Sequence, residues 1–455
     1  MRKKTHNRIT KVLSIGTAAI FLALLPVLAG ASDPDNSFTD RPSEDALAKL
    51  ESRAADIWGV DNVWLPTPKV WVQYESDLGE RSAVDFENGV AHVQILLKAT
   101  DDPQHEMVLA HLRQGVGNLI KSEANDPIEM IQAQAPPAQD SNSTEPRAGK
   151  EIRVYLVQPG DSLWTIAGRF QMKSTVLAEL NGLAADEILS VGRPLKVMVF
   201  SSHDLTLETT PRAPATDPML QDQIRMVDGS PVPAWMIENF AEEVVGNRPS
   251  VVKKVTGADG IERLSVGVTF QLVSNHLEVR ARKFHSLVLT HAEKHDLDPA
   301  LIMAIIHTES RFNPRARSRT PAYGLMQLVP HSGGRDAYRR VYGKKRKLTS
   351  KYLYNPKNNI ELGVAYFNIL RDSYMKSILD PVSRTYCAVA AYNAGAANVG
   401  RAFISKKSIQ KAAPVINKMT PEDVYARLIA DLPFKESRNY VRKVVKRAKL
   451  YQHWQ

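Results

Sequence analysis

The stretch Asp298-Pro299-Ala300-Leu301-Ile302-Met303-Ala304-Ile305-Ile306-His307-Thr308-Glu309-Ser310 sets one carboxylic acid into an apolar run. Asp298 is a good N-cap and Pro299 a good first helical residue, while Asn313-Pro314 requires a helix to end before it. Glu309 follows Ile306, Ile305 and Ile302 by three, four and seven residues, which predicts a place on the apolar face near the helix C-terminus. Burial there raises a carboxyl pKa, and the negative end of the helix dipole pushes the same way. An acid kept protonated near neutral pH can serve as general acid at a glycosidic oxygen. The competing reading is an ordinary ion pair with Arg311, Arg315 or Arg317. Most glycosidases use two carboxylates, yet no Asp or Glu occurs in residues 310–335, and Asp336, just after a Gly-Gly pair, suits a surface position.

Further motifs follow in order. Tyr323-Gly324-Leu325-Met326-Gln327 comes first, then Asn355-Pro356, Asn359-Ile360-Glu361-Leu362-Gly363, Ala391-Tyr392-Asn393-Ala394-Gly395 and Glu436-Ser437-Arg438-Asn439-Tyr440-Val441. Each is weak alone, but together they resemble the lytic transglycosylases of the lysozyme-like superfamily, glycoside hydrolase family 23. Asn275-His276-Leu277, residues 328–336, residues 419–425, Ile57-Trp58-Gly59 and residues 84–89 extend the likeness to a membrane-bound member of that family, over most of 45–120 and 220–450. The membrane-bound member is a lipoprotein, whereas no cysteine stands near residue 31 here.

The resemblance implies that Glu309 is the acid/base and that Ser318 and Thr320 bring hydroxyls around it. It implies that Gln327, Tyr392 and Asn393 hold the sugar and its acetamido group, with Tyr440 over the cleavage point. The reaction it implies is that of a carbon–oxygen lyase. The MurNAc–GlcNAc β-1,4 bond is broken without water, and the C6 hydroxyl closes a 1,6-anhydro ring. Tyr392 and Tyr440 as core aromatics, and Asn393 as a helix-end residue, are the structural alternatives. Neither a metal nor a cofactor is expected.

These residues need a scaffold, and the pattern from about residue 282 onward is helical. Upstream, residues 82–97 alternate around Asn88-Gly89, and residues 251–273 around Asp259-Gly260 with Val266, Val268, Phe270 and Leu272 on one face; both read as β-hairpins. Between them lies Tyr155-Leu156-Val157-Gln158-Pro159-Gly160-Asp161-Ser162-Leu163-Trp164-Thr165-Ile166-Ala167, then a helix over 174–180 stopped by Asn181-Gly182, then a strand over 194–199. This segment resembles a LysM domain, which implies a glycan-binding groove between Gly160, Asp161, Ser162 and Leu163 on one side and Ile188, Leu189, Ser190 and Val191 on the other. Val191-Gly192-Arg193 departs from the usual Pro-Gly-Gln.

The expected fold class is multidomain α+β, with an all-α lysozyme-like catalytic domain, a split α+β N-terminal domain and a small βααβ LysM-like module. The boundaries are a signal peptide or anchor at 1–31, the N-terminal domain at 40–130 and 221–282, linkers at 131–150 and 201–220, the module at 151–200 and the catalytic domain at 283–455. Three consecutive small units are the alternative to a split domain.

Residues 1–31 have the layout of an export signal: basic to Lys11, apolar from Val12 to Leu28, then Ala29-Gly30-Ala31. The run is long for a cleaved signal, so an uncleaved anchor is the alternative, and either puts the protein in the periplasm or cell envelope. A net charge of +10 suits an anionic wall or membrane surface as well as peptidoglycan strands. Lys344-Lys345-Arg346-Lys347 could suggest nucleic acid, but export argues against that partner. The rival functions are a lysozyme-type muramidase, which needs a second acid to position water, and a non-catalytic wall-binding protein. The single cysteine, Cys387, lies in an apolar run and reads as a buried, inert thiol.

Overall fold

The computed structural model describes residues 42–75, 77–122, 150–157, 163, 166, 174–183, 189–190, 192–200, 218–246, 249 and 251–454. The export segment and the linkers over 131–149 and 201–217 lie outside these residues. Two compact units are present, one formed by residues 1–135 with 216–455 and the other by 136–215.

The larger unit begins with α1 (Pro42–Trp58), β1 (Val70–Tyr74), β2 (Glu80–Asp85), β3 (Val90–Lys98) and α2 (Glu106–Lys121). The smaller unit contains β4 (Lys150–Leu156), α3 (Ser174–Asn181) and β5 (Pro194–Phe200). The larger unit then resumes with α4 (Ile237–Val245), β6 (Val251–Thr256) and β7 (Glu262–Gln271).

Its sheet is antiparallel and ordered β1-β2-β3-β7-β6, so strands from both sides of the module share one sheet, with Val93 opposite Val268. Strand alternation sends side chains to opposite faces. Val72, Tyr74 and Ala83 meet the α1 stripe of Leu47, Leu50, Ala54 and Trp58. Trp71, Val84, Val93, Val266 and Val268 meet α2 and α4 on the other face. The four residues of 251–273 expected on one face are all buried in that second cluster.

In the module, β4 and β5 pair antiparallel, and Val157, Leu163, Ile166, Leu177, Leu195 and Val197 form a small core. Leu163 is only 4% exposed, which assigns its side chain to this core rather than to a groove surface. Leu189 packs against the same core and Ser190 is exposed. Gly160, Asp161, Ser162, Ile188 and Val191 lie outside the described residues.

The rest of the larger unit is helical: α5 (His276–Glu293), α6 (Pro299–Ser310), α7 (Gly333–Tyr342), α8 (Ser350–Tyr354), α9 (Pro356–Asn368), α10 (Pro381–Ala394), α11 (Ala396–Val399), α12 (Arg401–Ile404), α13 (Ile409–Ile416), α14 (Pro421–Asp431) and α15 (Lys435–Tyr451). The boundary expected at 282/283 falls inside α5, because one continuous helix serves both halves. Arg280 on that helix is 2% exposed and donates to Gln223 Oε1 (2.6 Å), the Phe86 carbonyl (2.9 Å) and the Arg311 carbonyl (3.1 Å). It thereby ties the sheet to the end of α6. Helix α6 is the hub of the helical core, with residues 300–307 all buried. Cys387 is fully buried, and burial pushes its thiol well above the usual range.

Candidate active site

Asp298 caps α6 by accepting from the Ala300 amide at 2.8 Å, and the helix stops at Arg311, which adopts a left-handed conformation. Glu309 therefore sits in the last turn, half-buried as a residue. Desolvation is the largest influence on its carboxyl and, with a smaller push from the charge of Glu436, raises the pKa from 4.5 to about 7. Tyr440 and Lys69 act in the opposite direction. The Tyr440 hydroxyl is buried beside the carboxyl but makes no hydrogen bond of ordinary geometry. Tyr392 is the other phenol that feels this acid, and burial together with the Glu309 charge lifts both phenols well above their usual range.

None of the arginines expected as rivals is among the groups that act on Glu309. Arg311 ion-pairs with Glu87 of the β2–β3 turn, and Arg315 and Arg317 lie over the Tyr354 and Tyr323 rings.

The loop after α6 is shaped by bridges from Tyr323 to Arg317 and to Leu328. Gly324 adopts φ +75°, and a Cβ there would stand 2.3 Å from Asn359 Nδ2, so only glycine fits. Asn359 is fully buried and spends its whole amide on this loop: Oδ1 accepts from the Met326 amide, and Nδ2 donates to the Tyr323 and Leu353 carbonyls, all at 2.8 Å. The loop in turn meets Tyr392, whose hydroxyl donates to the Met326 carbonyl at 2.8 Å. Gln327 has φ +47°; its Nε2 donates to the Ala316 and Gly324 carbonyls, while its buried Oε1 has no partner among the described residues.

Glu309, Tyr392 and Tyr440 thus come together, with Gln327 beside Met326. Asn393 bonds to α15 instead, accepting from Ser437 Oγ at 2.6 Å. The expected hydroxyl shell differs: Ser318 Oγ donates to the Thr320 carbonyl and Thr320 is exposed, because the loop over 316–322 folds back on itself. Two neighbours of Glu309 escaped the reading of the sequence. Glu436 stood inside a recognised motif, one turn before Tyr440, and that i, i+4 spacing was its signal. Lys69 lies in the bend just before β1 of the N-terminal sheet, and nothing local to it points to Glu309.

An all-helical half built round an acid whose pKa burial raises to about 7, joined to a sheet half interrupted by a module, defines a multidomain glycan-cleaving protein. Residues 286–414 match the Transglycosylase SLT domain, residues 155–197 the LysM domain, and residues 34–129 the Membrane-bound lytic murein transglycosylase C, N-terminal domain. A membrane-bound lytic murein transglycosylase C of Serratia proteamaculans is 30% identical over 438 residues, which covers 94% of this chain and 97% of that protein. A namesake of Photorhabdus laumondii is 41% identical over 253 residues, 55% of this chain and 68% of that one. The chain belongs to the membrane-bound lytic murein transglycosylase C family. The 70 kDa soluble lytic transglycosylase of Escherichia coli aligns over 39% of this chain and 26% of its own, with 22% identity and a TM-score of 0.30.

Proposed function

We propose that this protein is a peptidoglycan lytic transglycosylase in which Glu309 serves both proton transfers. The observation that carries the reading is a carboxylic acid raised to a pKa near 7, walled by two phenols at the end of a buried helix. Protonated Glu309 gives its proton to the glycosidic oxygen, and the substrate's acetamido oxygen stabilises the cationic anomeric carbon. The resulting carboxylate removes the proton from the C6 hydroxyl of the same N-acetylmuramic acid, which closes the 1,6-anhydro ring. The unpartnered Gln327 Oε1 suits the acetamido N–H, and Tyr392, bonded to the Met326 carbonyl, lines the same region, with Asn393 beside it on α10 but bonded to Ser437. Tyr440 steadies the carboxyl through its adjacent hydroxyl.

The muramidase alternative has one observation in its favour, since Glu436 lies close enough to act on Glu309. Product mass separates the two. Digestion of purified sacculi is expected to yield 1,6-anhydromuramyl ends, one water lighter than reducing ends. Reducing ends alone would establish water as the nucleophile and sink the ring-closing step.

The pH dependence follows from the same acid. The proton-donating form is depleted above a pKa of about 7, so kcat/KM is expected to decline above pH 7, approaching tenfold per unit. A rate still rising at pH 9 would mean that Glu309 is not the acid.

The relatives' names associate the family with the cell envelope. We place this chain there, in the periplasm, with residues 1–31 as signal or anchor, the LysM-like module as a glycan tether and the basic surface facing an anionic wall or membrane. Nucleic acid has no part in this reading. Among the described residues no helix is long and apolar enough to cross a membrane.

A further inference from the structure

The helix carrying Glu309 ends among cations. Arg447 of α15 donates to Thr308 Oγ1 at 3.0 Å and to the His307 carbonyl at 3.4 Å. Arg311 and Lys69 both grip Glu87, Lys69 at 2.9 Å. Asn313 Nδ2 donates to the Pro68 carbonyl at 3.3 Å, which pins the chain next to Lys69 against the end of α6. Lys69 is near enough to Glu309 to favour its charged form. Lys443 lies on α15 between Tyr440 and Arg447, on the face that also carries Glu436. It is exposed and has no ion-pair partner among the described residues. Desolvation first, and then the charges of Lys69, Arg447 and Arg311 against the opposing charge of Glu87, hold its ammonium below the usual range. Glu436, on the same helix, influences Glu309.

Lys69, Arg311, Lys443 and Arg447 therefore outnumber the carboxylates beside them, Glu87 and Glu436, while Glu309, with a pKa of about 7, is only partly ionised near neutral pH. Such an excess of like charge is unfavourable in the free protein and is relieved by an anionic ligand. Burial also depresses neighbouring His307 to about 2, so it adds no charge of its own. A glycan strand lying at Glu309 brings its anions on one branch, the lactyl group at C3 of N-acetylmuramic acid. That branch ends in its own carboxylate when bare, and in peptide carboxylates when a peptide is attached.

We propose that Lys69 and Lys443, backed by Arg447, form a carboxylate-binding subsite beside Glu309 that takes the acidic lactyl branch of the muramic acid residue. The proposal rests on the reading of Glu309 as the cleavage acid. It gives the N-terminal sheet half a task at the active site, because Lys69 belongs to that half.

The test uses the full chain and three glycans of equal length: peptide-bearing, stripped to the free lactyl carboxylate, and stripped with that carboxyl converted to a neutral amide. Lys443→Gln and Lys69→Gln are expected to lower the ratio of kcat/KM on carboxylate-bearing over amidated glycan by about threefold to tenfold at low salt. Lys443→Arg should restore the ratio, and added salt should erase it in the parent protein. Lys449→Gln, on the opposite exposed face of α15, should leave it unchanged. A ratio that drops only for the peptide-bearing glycan assigns the ligand to the peptide carboxylates; a drop for the free-lactyl glycan assigns it to the lactyl group. Equal proportional losses on all three glycans, or an unmoved ratio in Lys443→Gln, would overturn the subsite. Binding of the same glycans to Glu309→Gln, read by calorimetry, should show the same ordering with no turnover. If the parent protein cleaved none of the three, the Glu309 reading would fail while this binding comparison still decided the subsite.

Discussion

Glu309→Gln is expected to leave a folded protein whose turnover of peptidoglycan falls by at least ~10²–10⁴-fold. The amide matches the acid in shape but has no proton to transfer, and the loss should reach or exceed the upper end because one group serves both steps. Stability supplies an independent readout. The carboxyl has a pKa of about 7 in the fold against an ordinary value of 4.5. The unfolded chain therefore binds fewer protons than the folded one between those values, and parent stability declines as pH rises from about 4.5 through about 7. Glutamine is free of that penalty. The variant's melting temperature relative to the parent should thus be more favourable at pH 8 than at pH 5, by calorimetry at both. Near-parental turnover would remove Glu309 from the mechanism, and a difference of opposite sign would mean that the carboxylate is the form the fold favours.

The second large effect is one of architecture. Asn359→Leu keeps the branching and heavy-atom count of a fully buried side chain but strands the Met326 amide and removes the donor to the Leu353 carbonyl, while the Tyr323 carbonyl keeps its bond from the Leu328 amide. Leaving a buried polar group unsatisfied costs roughly 1–3 kcal/mol, so the two that lose their partner should destabilise the protein by about 2 kcal/mol or more. Activity should suffer beyond the loss of folded protein. The same loop carries Gln327 and the Met326 carbonyl that anchors Tyr392. Urea titration measures the first effect, and kcat/KM under conditions where the variant is fully folded measures the second. A change below about 0.5 kcal/mol, the range of ordinary surface substitutions, would mean that the loop finds other partners.

Much of the catalytic helix is legible from its own residues. Asp298 and Pro299 start it, Asn313-Pro314 ends it, and the isoleucine spacing puts Glu309 on the buried face; all of this follows from interactions within a turn or two. The two hairpins are local as well. Asp85 lies opposite Val90 across Asn88-Gly89, and Thr256 lies opposite Glu262 across Asp259-Gly260. The raised pKa of Glu309 was foreseeable in direction because burial alone dictates its sign.

The neighbours of that acid belong to a different scale. Lys69 comes from the bend just before β1, about half the chain ahead of the catalytic helix, and it reaches Glu309 only because β3 pairs with β7 and Arg280 bolts the sheet to α5 and α6. No periodicity in either segment encodes that meeting, which results from many weak packing terms summed over the whole fold. Arg311 shows the same division: its sequence position beside Glu309 suggested an ion pair with that acid. The left-handed turn that ends α6 and the Glu87 carboxylate presented by the β2–β3 turn direct its guanidinium to the sheet instead. Residue types and short spacings determined where the acid stands and what chemistry it can do. The charges that surround it were decided by tertiary contacts, because electrostatic partners are chosen by distance in space and not along the chain.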